Sequence, residues 1–176
     1  MKQKPEDHHR RSIRLKEYDY RTAGAYFITI CTLKGKCIFG NVVNGEMFLH
    51  KYGMMVKAEW LKTSRIRDNV ELDEFIIMPN HFHGIIIILE IGRATHRVAP
   101  TTGLLGNSLG SIIAQFKSIV TKNIRKMGLP SFRWQRNYYE HILRDEKDLN
   151  QIREYIINNP ITWELDSENP ENIKML

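Results

Sequence analysis

The chain reads as an α+β domain of the ferredoxin-like, split βαβ kind. A central antiparallel sheet carries the strand of His81 and His83, with helices packed on one face of it. Three observations predict this. Apolar periodicity runs in the order β, α, β-β, α, β, α along 176 residues, a length suited to one core. Residues 71–78 and 81–89 are separated only by Pro79-Asn80, so they form an antiparallel pair. The second of these strands is apolar at nearly every position after Gly84, as a central strand covered on both faces must be.

The elements follow in order. Residues 1–21 carry seven basic and four acidic side chains with little periodicity, and read as a basic N-terminal arm. Residues 25–33 (AYFITICTL) are rich in β-branched and aromatic residues and predict a strand. Short strand segments over 37–49 flank Val43-Asn44-Gly45-Glu46, where Asn-Gly favours a tight hairpin. Met55, Ala58, Trp60 and Leu61 predict an amphipathic helix over 52–65. After the paired strands, residues 91–107 hold three Gly and a Pro and read as a loop or linker. Ser108 caps a helix whose apolar residues run from Leu109 through Ile112, Ile113, Phe116, Val120 and Ile124 to Met127. Residues 132–143 read as an aromatic, basic strand. Asp145 caps the last helix with help from Asp148, and Pro160 stops it near Asn159 by disfavouring helical geometry in the residue before it.

Charge is unevenly placed. The formal net charge is +6, but residues 164–176 hold four acids and one Lys, leaving +9 on residues 1–163. Residues 108–144 carry seven basic side chains against Glu140 alone. This predicts a basic arm (1–21), a central domain (22–163) and an acidic C-terminal tail (164–176). A basic body favours a polyanion, nucleic acid first; a solvated basic surface is the plainer alternative. Cys31 and Cys37 lack zinc spacing and read as reduced, structural thiols. The N-terminus reads as lacking a signal peptide, and the longest apolar run, 85–89, is too short for a bilayer. The expectation is a cytoplasmic, nucleoid-associated protein with no membrane partner.

Chemistry concentrates at Pro79-Asn80-His81-Phe82-His83. In a strand, His81 and His83 leave the same face, roughly 6–7 Å apart along the chain, while Phe82 points into packing on the other. Two buried imidazoles bring polar nitrogens that need partners, and one metal ion satisfies both. The competing reading is two core histidines bonded to backbone carbonyls. On the final helix, Tyr155 and Asn159 stand four residues apart on the flank of the stripe Leu149, Ile152 and Ile156. Alone they read as amphipathic packing and a helix terminator. Beside the histidines, the Asn159 oxygen is a hard third donor suited to Mg²⁺ or Mn²⁺. Tyr155 then faces the same ion, which would assist phenol attack on a phosphodiester and leave a 5′-phosphotyrosine bond.

At these residues the chain resembles a known family. His81-Phe82-His83 matches the His-hydrophobic-His signature of HUH single-strand endonucleases. Three blocks in order resemble the REP-associated tyrosine transposases, of the single-tyrosine HUH superfamily. They are Met78-Pro79-Asn80-His81-Phe82-His83, the stretch from Trp134-Gln135-Arg136-Asn137-Tyr138-Tyr139 to Arg144, and Tyr155-Ile156-Ile157-Asn158-Asn159-Pro160. Arg10-Arg11-Ser12-Ile13-Arg14-Leu15 and Gly24-Ala25-Tyr26-Phe27-Ile28-Thr29 are similar too, so the likeness spans about residues 10–165.

The resemblance implies metal-dependent cleavage and joining of single-stranded DNA at imperfect-palindrome hairpins, by a monomer or a homodimer. It implies His81 and His83 as ligands of Mg²⁺ or Mn²⁺ and Tyr155 as nucleophile. Asn159 becomes the third ligand, where related transposases often have Gln. Candidate DNA contacts are Arg10, Arg11 and Arg14 of the arm, Lys117, Lys122 and Arg125 of the helix, and Arg133, Trp134 and Arg136. Tyr138 and Tyr139 are expected to pack or stack on bases, only one of them facing the site. His141 reads as a surface or core histidine, and His8 and His9 as solvent-exposed. The alternative function is a non-catalytic binder of single-stranded DNA or RNA hairpins. A metal-independent phosphodiesterase ranks last, because it needs a second His-x-Ser/Thr or His-x-His block that the sequence lacks.

Overall fold

The computed structural model describes residues 22–90, 106 and 108–173. Arg10, Arg11 and Arg14, with the rest of the arm, lie outside the described residues, as does segment 91–105 of the linker. The elements are β1 (Gly24–Cys31), β2 (Gly40–Val43), β3 (Glu46–Leu49), α1 (Lys51–Arg65), β4 (Val70–Ile77), β5 (His81–Ile88), α2 (Leu109–Lys126), β6 (Tyr139–Leu143), α3 (Glu146–Asn158) and a final turn of helix, α4 (Pro170–Ile173). The main sheet has the order β4-β5-β1-β6, antiparallel throughout. Each βαβ unit therefore leaves a gap that the other fills: β5 sits between β1 and β4, and β1 between β5 and β6. The split βαβ architecture is thus present, with the histidine strand in the interior of the sheet.

Alternation along the strands sorts the side chains. Tyr26, Ile28 and Ile30 of β1 and Phe82 and Ile86 of β5 point to one face and meet Trp60 of α1 and Phe116 of α2 in the larger core. The Trp60 and Phe82 ring centres are 4.6 Å apart. Gly84 makes that approach possible, because a Cβ there would sit 2.7 Å from the Phe82 ring and 3.0 Å from Trp60. The opposite face carries Phe27, Ile85 and Leu143, covered by Ile156 of α3. The expectation of helices on one face holds for α1 and α2; α3 covers the other. A strand apolar on both faces needs this second cover.

The two short strands close through Asn44 and Gly45, whose φ values of 53° and 76° are both positive, as a two-residue type I′ hairpin demands. The helix caps fall at the predicted residues: Ser108 Oγ accepts from Ser111 N–H and Asp145 Oδ1 from Asp148 N–H. Asn159 nonetheless keeps helical geometry (φ −57°, ψ −40°), so Pro160 ends α3 through its missing N–H rather than by distorting its neighbour. One element is shorter than predicted. Within 132–143 only β6 is strand, and Trp134 makes a single bridge to Thr32. The Lys117 ammonium donates to the carbonyls of Gln135 (2.7 Å), Asn137 (3.1 Å) and Arg136 (3.4 Å), which draws that stretch out of a ladder.

Candidate functional site

The α3 face of the sheet carries the site. Register places Thr29 of β1 opposite His83 and Cys31 opposite His81. The two imidazoles are buried, at 0% and 4% exposure, with ring centres 4.5 Å apart. Asn159, also buried, stands at the end of α3 beside them, and its side chain acts on the protonation of both His81 and Tyr155. Tyr155, half exposed, brings its hydroxyl to 3.3 Å from His83 Nε2. The structure therefore brings together His81, His83, Tyr155 and Asn159.

A neighbouring pair of hydrogen bonds determines which nitrogens face the site. Asn80 Nδ2 donates to the carbonyls of Gly35 (3.2 Å) and Glu168 (2.6 Å), so its Oδ1 is the atom turned to His81 Nδ1, 2.9 Å away. Carbonyls accept only, which fixes the amide orientation; His81 must then carry its proton on Nδ1. Nε2 is left with a bare lone pair. Thr29 Oγ1 lies 2.8 Å from His83 Nδ1 and can fill the same orienting role there. Burial pushes the His81 pKa down to about 4, with Asp166 and Asn159 opposing the shift, and holds His83 well below its ordinary value, with His81 adding to the effect. Both rings are neutral near pH 7, the form that binds metals. Burial, then the Asp166 charge, raises the Tyr155 pKa, so the phenol keeps its proton.

Sequence reasoning missed Asp166. It lies in the stretch set apart as an acidic tail, yet that stretch folds back over the site through a 3₁₀ turn (Trp163–Leu165). Asp166 has a side chain 7% exposed, with Oδ2 3.8 Å from His81 Nε2. His81, His83 and Asp166 form a group able to hold a metal ion. The buried atoms His81 Nε2, Asn159 Oδ1 and Asp166 Oδ2 all lack a hydrogen-bond partner. Buried polar atoms are ordinarily satisfied, so several orphans in one place fit a cation that would satisfy them together. The signal for Asp166 was a turn-forming cluster, Asp166-Ser167-Glu168-Asn169-Pro170, rather than any periodicity. Asn80 and Thr29 were missed as orienting residues because only the fold sets them beside the rings.

The basic candidates converge elsewhere on the same body. Lys117, Lys122, Arg125, Arg133, Trp134 and Arg136 line one groove of about 1470 Å³, whose wall includes Thr29. Since Thr29 also bonds His83, the groove adjoins the metal-capable cluster. Within it Lys122, Arg133 and Arg136 are exposed, and Arg125 is anchored by donating to the Phe132 carbonyl. Burial pushes the Lys117 ammonium down to about 8 while it binds three carbonyls. Trp134, at the wall of the groove, is 8% exposed and packed against Phe39, Phe116 and Phe132. Tyr139 turns to the site face, against Phe27, whereas Tyr138 packs on the larger core. His141 pairs with Asp148 at 3.0 Å. Cys31 and Cys37 are both free thiols, one buried and one exposed. Among the described residues no helix is long and apolar enough to cross a membrane.

No protein-family model matches the chain. An uncharacterized protein of Haemophilus influenzae (strain ATCC 51907 / DSM 11121 / KW20 / Rd) is 48% identical over 167 residues, covering 90% of this chain and 92% of its own length. Among solved structures, a REP-associated tyrosine transposase bound to a REP hairpin superposes with a TM-score of 0.59 at 20% identity, over 85% of this chain and 73% of that one. The chain belongs to one family with the Haemophilus influenzae protein, and its fold is that of the REP-associated tyrosine transposase.

Proposed function

We propose that the protein is a metal-dependent endonuclease and strand-transferase for single-stranded DNA, acting at palindromic hairpins through a 5′-phosphotyrosine intermediate. The observation that carries this reading is the set of orphaned buried atoms on His81, Asn159 and Asp166 beside a half-exposed Tyr155. The shared fold with a transposase bound to a REP hairpin supports it, as does the basic groove adjoining the cluster. His81, His83 and Asn159, with Asp166 near them, would hold Mg²⁺ or Mn²⁺. When bound, that ion supplies Lewis-acid polarisation of a phosphodiester oxygen.

The remaining chemistry belongs to the chain. Tyr155 Oη attacks phosphorus and forms the O–P bond to the 5′-phosphate as the P–O3′ bond breaks, and the leaving 3′-oxygen takes a proton from solvent to become a hydroxyl. The phenolic proton escapes to solvent on the exposed side of the ring. Attack by an incoming 3′-hydroxyl reverses the step and rejoins the strand, because the phosphotyrosine conserves the energy of the cleaved diester. Phe27, edge-on to Tyr155 at 6.0 Å and stacked on His83 at 5.4 Å, holds the two rings in this relation. The protein would work at the nucleoid, in the cytoplasm, as a monomer or a homodimer.

The test is a denaturing gel of labelled hairpin DNA with the protein and Mn²⁺. A slow-migrating covalent adduct is expected, lost with EDTA and reduced by about three orders of magnitude or more in Tyr155→Phe. An adduct that survives in Tyr155→Phe would move the chemistry to Tyr139. Tight hairpin binding without cleavage under any metal would favour the non-catalytic binder instead.

A further inference from the structure

We infer that the side-chain amides of Gln135 and Asn137 are the base-reading groups of the basic groove, and that they set the register in which an unpaired DNA strand runs towards Tyr155. The inference rests on the reading of the protein as a nuclease for single-stranded DNA, and it names the residues that select the strand.

The backbone around these two residues is fixed from two sides. Gln135 N–H donates to Cys31 O at 2.9 Å and Leu33 N–H to Arg133 O at 2.9 Å, which ties the stretch to the end of β1. From the other side, the Lys117 ammonium takes the carbonyls of Gln135, Arg136 and Asn137. Successive carbonyls of a strand point in opposite directions, so three that meet one cation require the backbone to curl round it. Bends fall at Arg136 and Asn137 accordingly. A segment held in this way has lost its freedom before any ligand arrives, which is what a selective contact needs.

The side chains carried on that backbone are the second observation. Gln135, half-buried, and Asn137, exposed, both line the groove. Neither amide bonds to any described residue, although the carbonyls beside them are engaged. The cations of the groove, Lys122, Arg133 and Arg136, attract phosphates whatever the sequence. A neutral amide adds nothing to that attraction. It offers donors and an acceptor together, the combination that pairs with a base edge such as adenine N6 and N7. Tyr139, two residues on, is 43% exposed, lines the same groove and stands edge-on to Phe27 at 6.2 Å, so its ring offers a face for the next base. Phe27 is also edge-on to Tyr155 at 6.0 Å. A strand whose bases are held along 135–139 therefore reaches Tyr155 in one register.

The test uses the full chain and a pool of hairpin DNAs whose unpaired flanks are randomised, with EDTA present to prevent cleavage. Bound molecules are recovered and sequenced. The wild type is expected to enrich particular bases at a few flank positions, and Gln135→Ala and Asn137→Ala each to lose enrichment at one position and keep it at the others. On labelled hairpins, each variant's preference for the enriched base at its position should fall by about tenfold or more. The slope of log K against log salt should stay at the wild-type value, because a neutral amide releases no counterion. Gln135→Glu should move the preference at its position towards cytosine, whose N4 donates to a carboxylate. An unchanged enrichment profile in both alanine variants would overturn the inference, and a covalent adduct formed by the wild type with Mn²⁺ would leave the nuclease standing. A wild type that binds every flank equally would overturn it too. Absence of hairpin binding in the wild type would overturn both the inference and the reading beneath it. A uniform loss of affinity at all positions, with a lowered melting temperature, would assign the two residues a structural role instead.

Discussion

At the scale of single residues, Asn80 has as much influence on the site as the histidines it precedes. Its amide nitrogen is committed to two carbonyls, so its oxygen determines the His81 tautomer. Asn80→Ala should therefore leave the ring free to choose either nitrogen and lower Mn²⁺ affinity by about 10–100-fold, measured in the absence of DNA. Protonation gives a second test. His81 has its pKa depressed by burial from 6.5 to about 4, so between those values the unfolded chain binds more protons than the folded one. The stability of the metal-free protein is thus intact above about 6.5 and is lost progressively as the pH falls towards 4, with His83 shifting in the same sense. Urea unfolding at a series of pH values should show the midpoint falling through that window; a flat profile would show that the imidazoles are not held neutral. The residues legible in the sequence were those with a period: His81 and His83 two apart in a strand, Tyr155 and Asn159 four apart in a helix. Asp166 and Thr29 had none, because a turn and a cross-strand register place them.

At the scale of elements, the position of Tyr155, the proposed nucleophile, depends on how α3 is held. Arg153, two residues before Tyr155, donates from Nε and Nη2 to the two Asp73 oxygens at 2.9 and 2.5 Å. Asp73 lies where the β4–β5 register shifts between Leu72 and Phe75, an irregularity in the ladder. The fork latches α3 to the sheet edge, and the Arg153 guanidinium holds the Asp73 carboxyl below its usual range. Asp73→Asn should slow formation of the covalent adduct while hairpin affinity stays near wild type, since Asp73 is not among the residues that line the groove. Equal loss of binding and adduct would instead point to general unfolding. Most elements were readable because their caps and turns use local chemistry, as Asp145, Ser108 and Asn44-Gly45 show. Residues 132–138 were misread because their aromatic pattern suits a strand, while a long-range partner, Lys117, takes the carbonyls of Gln135, Arg136 and Asn137.

At the scale of the whole molecule, the sheet order followed from the sequence because a two-residue turn and two interleaved helical crossovers leave few alternatives. The side of the sheet taken by α3 did not follow, because β5 is apolar on both faces and either could have been its partner. That placement separates two surfaces: the metal-capable cluster under α3, and the basic groove along α2 and the 133–138 stretch, joined at Thr29. If the groove tracks an unpaired strand, its exposed cations should release counterions on binding. Each phosphate contact contributes about 0.7 to the slope of log K against log salt for single strands. Lys122→Ala with Arg136→Ala should therefore reduce that slope by about 1.4, measured by fluorescence anisotropy on a labelled hairpin over a salt series. Lys117→Ala should behave differently. Its ammonium is already shared among three carbonyls, so removing it should loosen the 135–137 stretch and weaken binding with little change in slope. A slope unchanged in the double variant would place the DNA outside this groove and separate strand binding from the surface that adjoins the histidines.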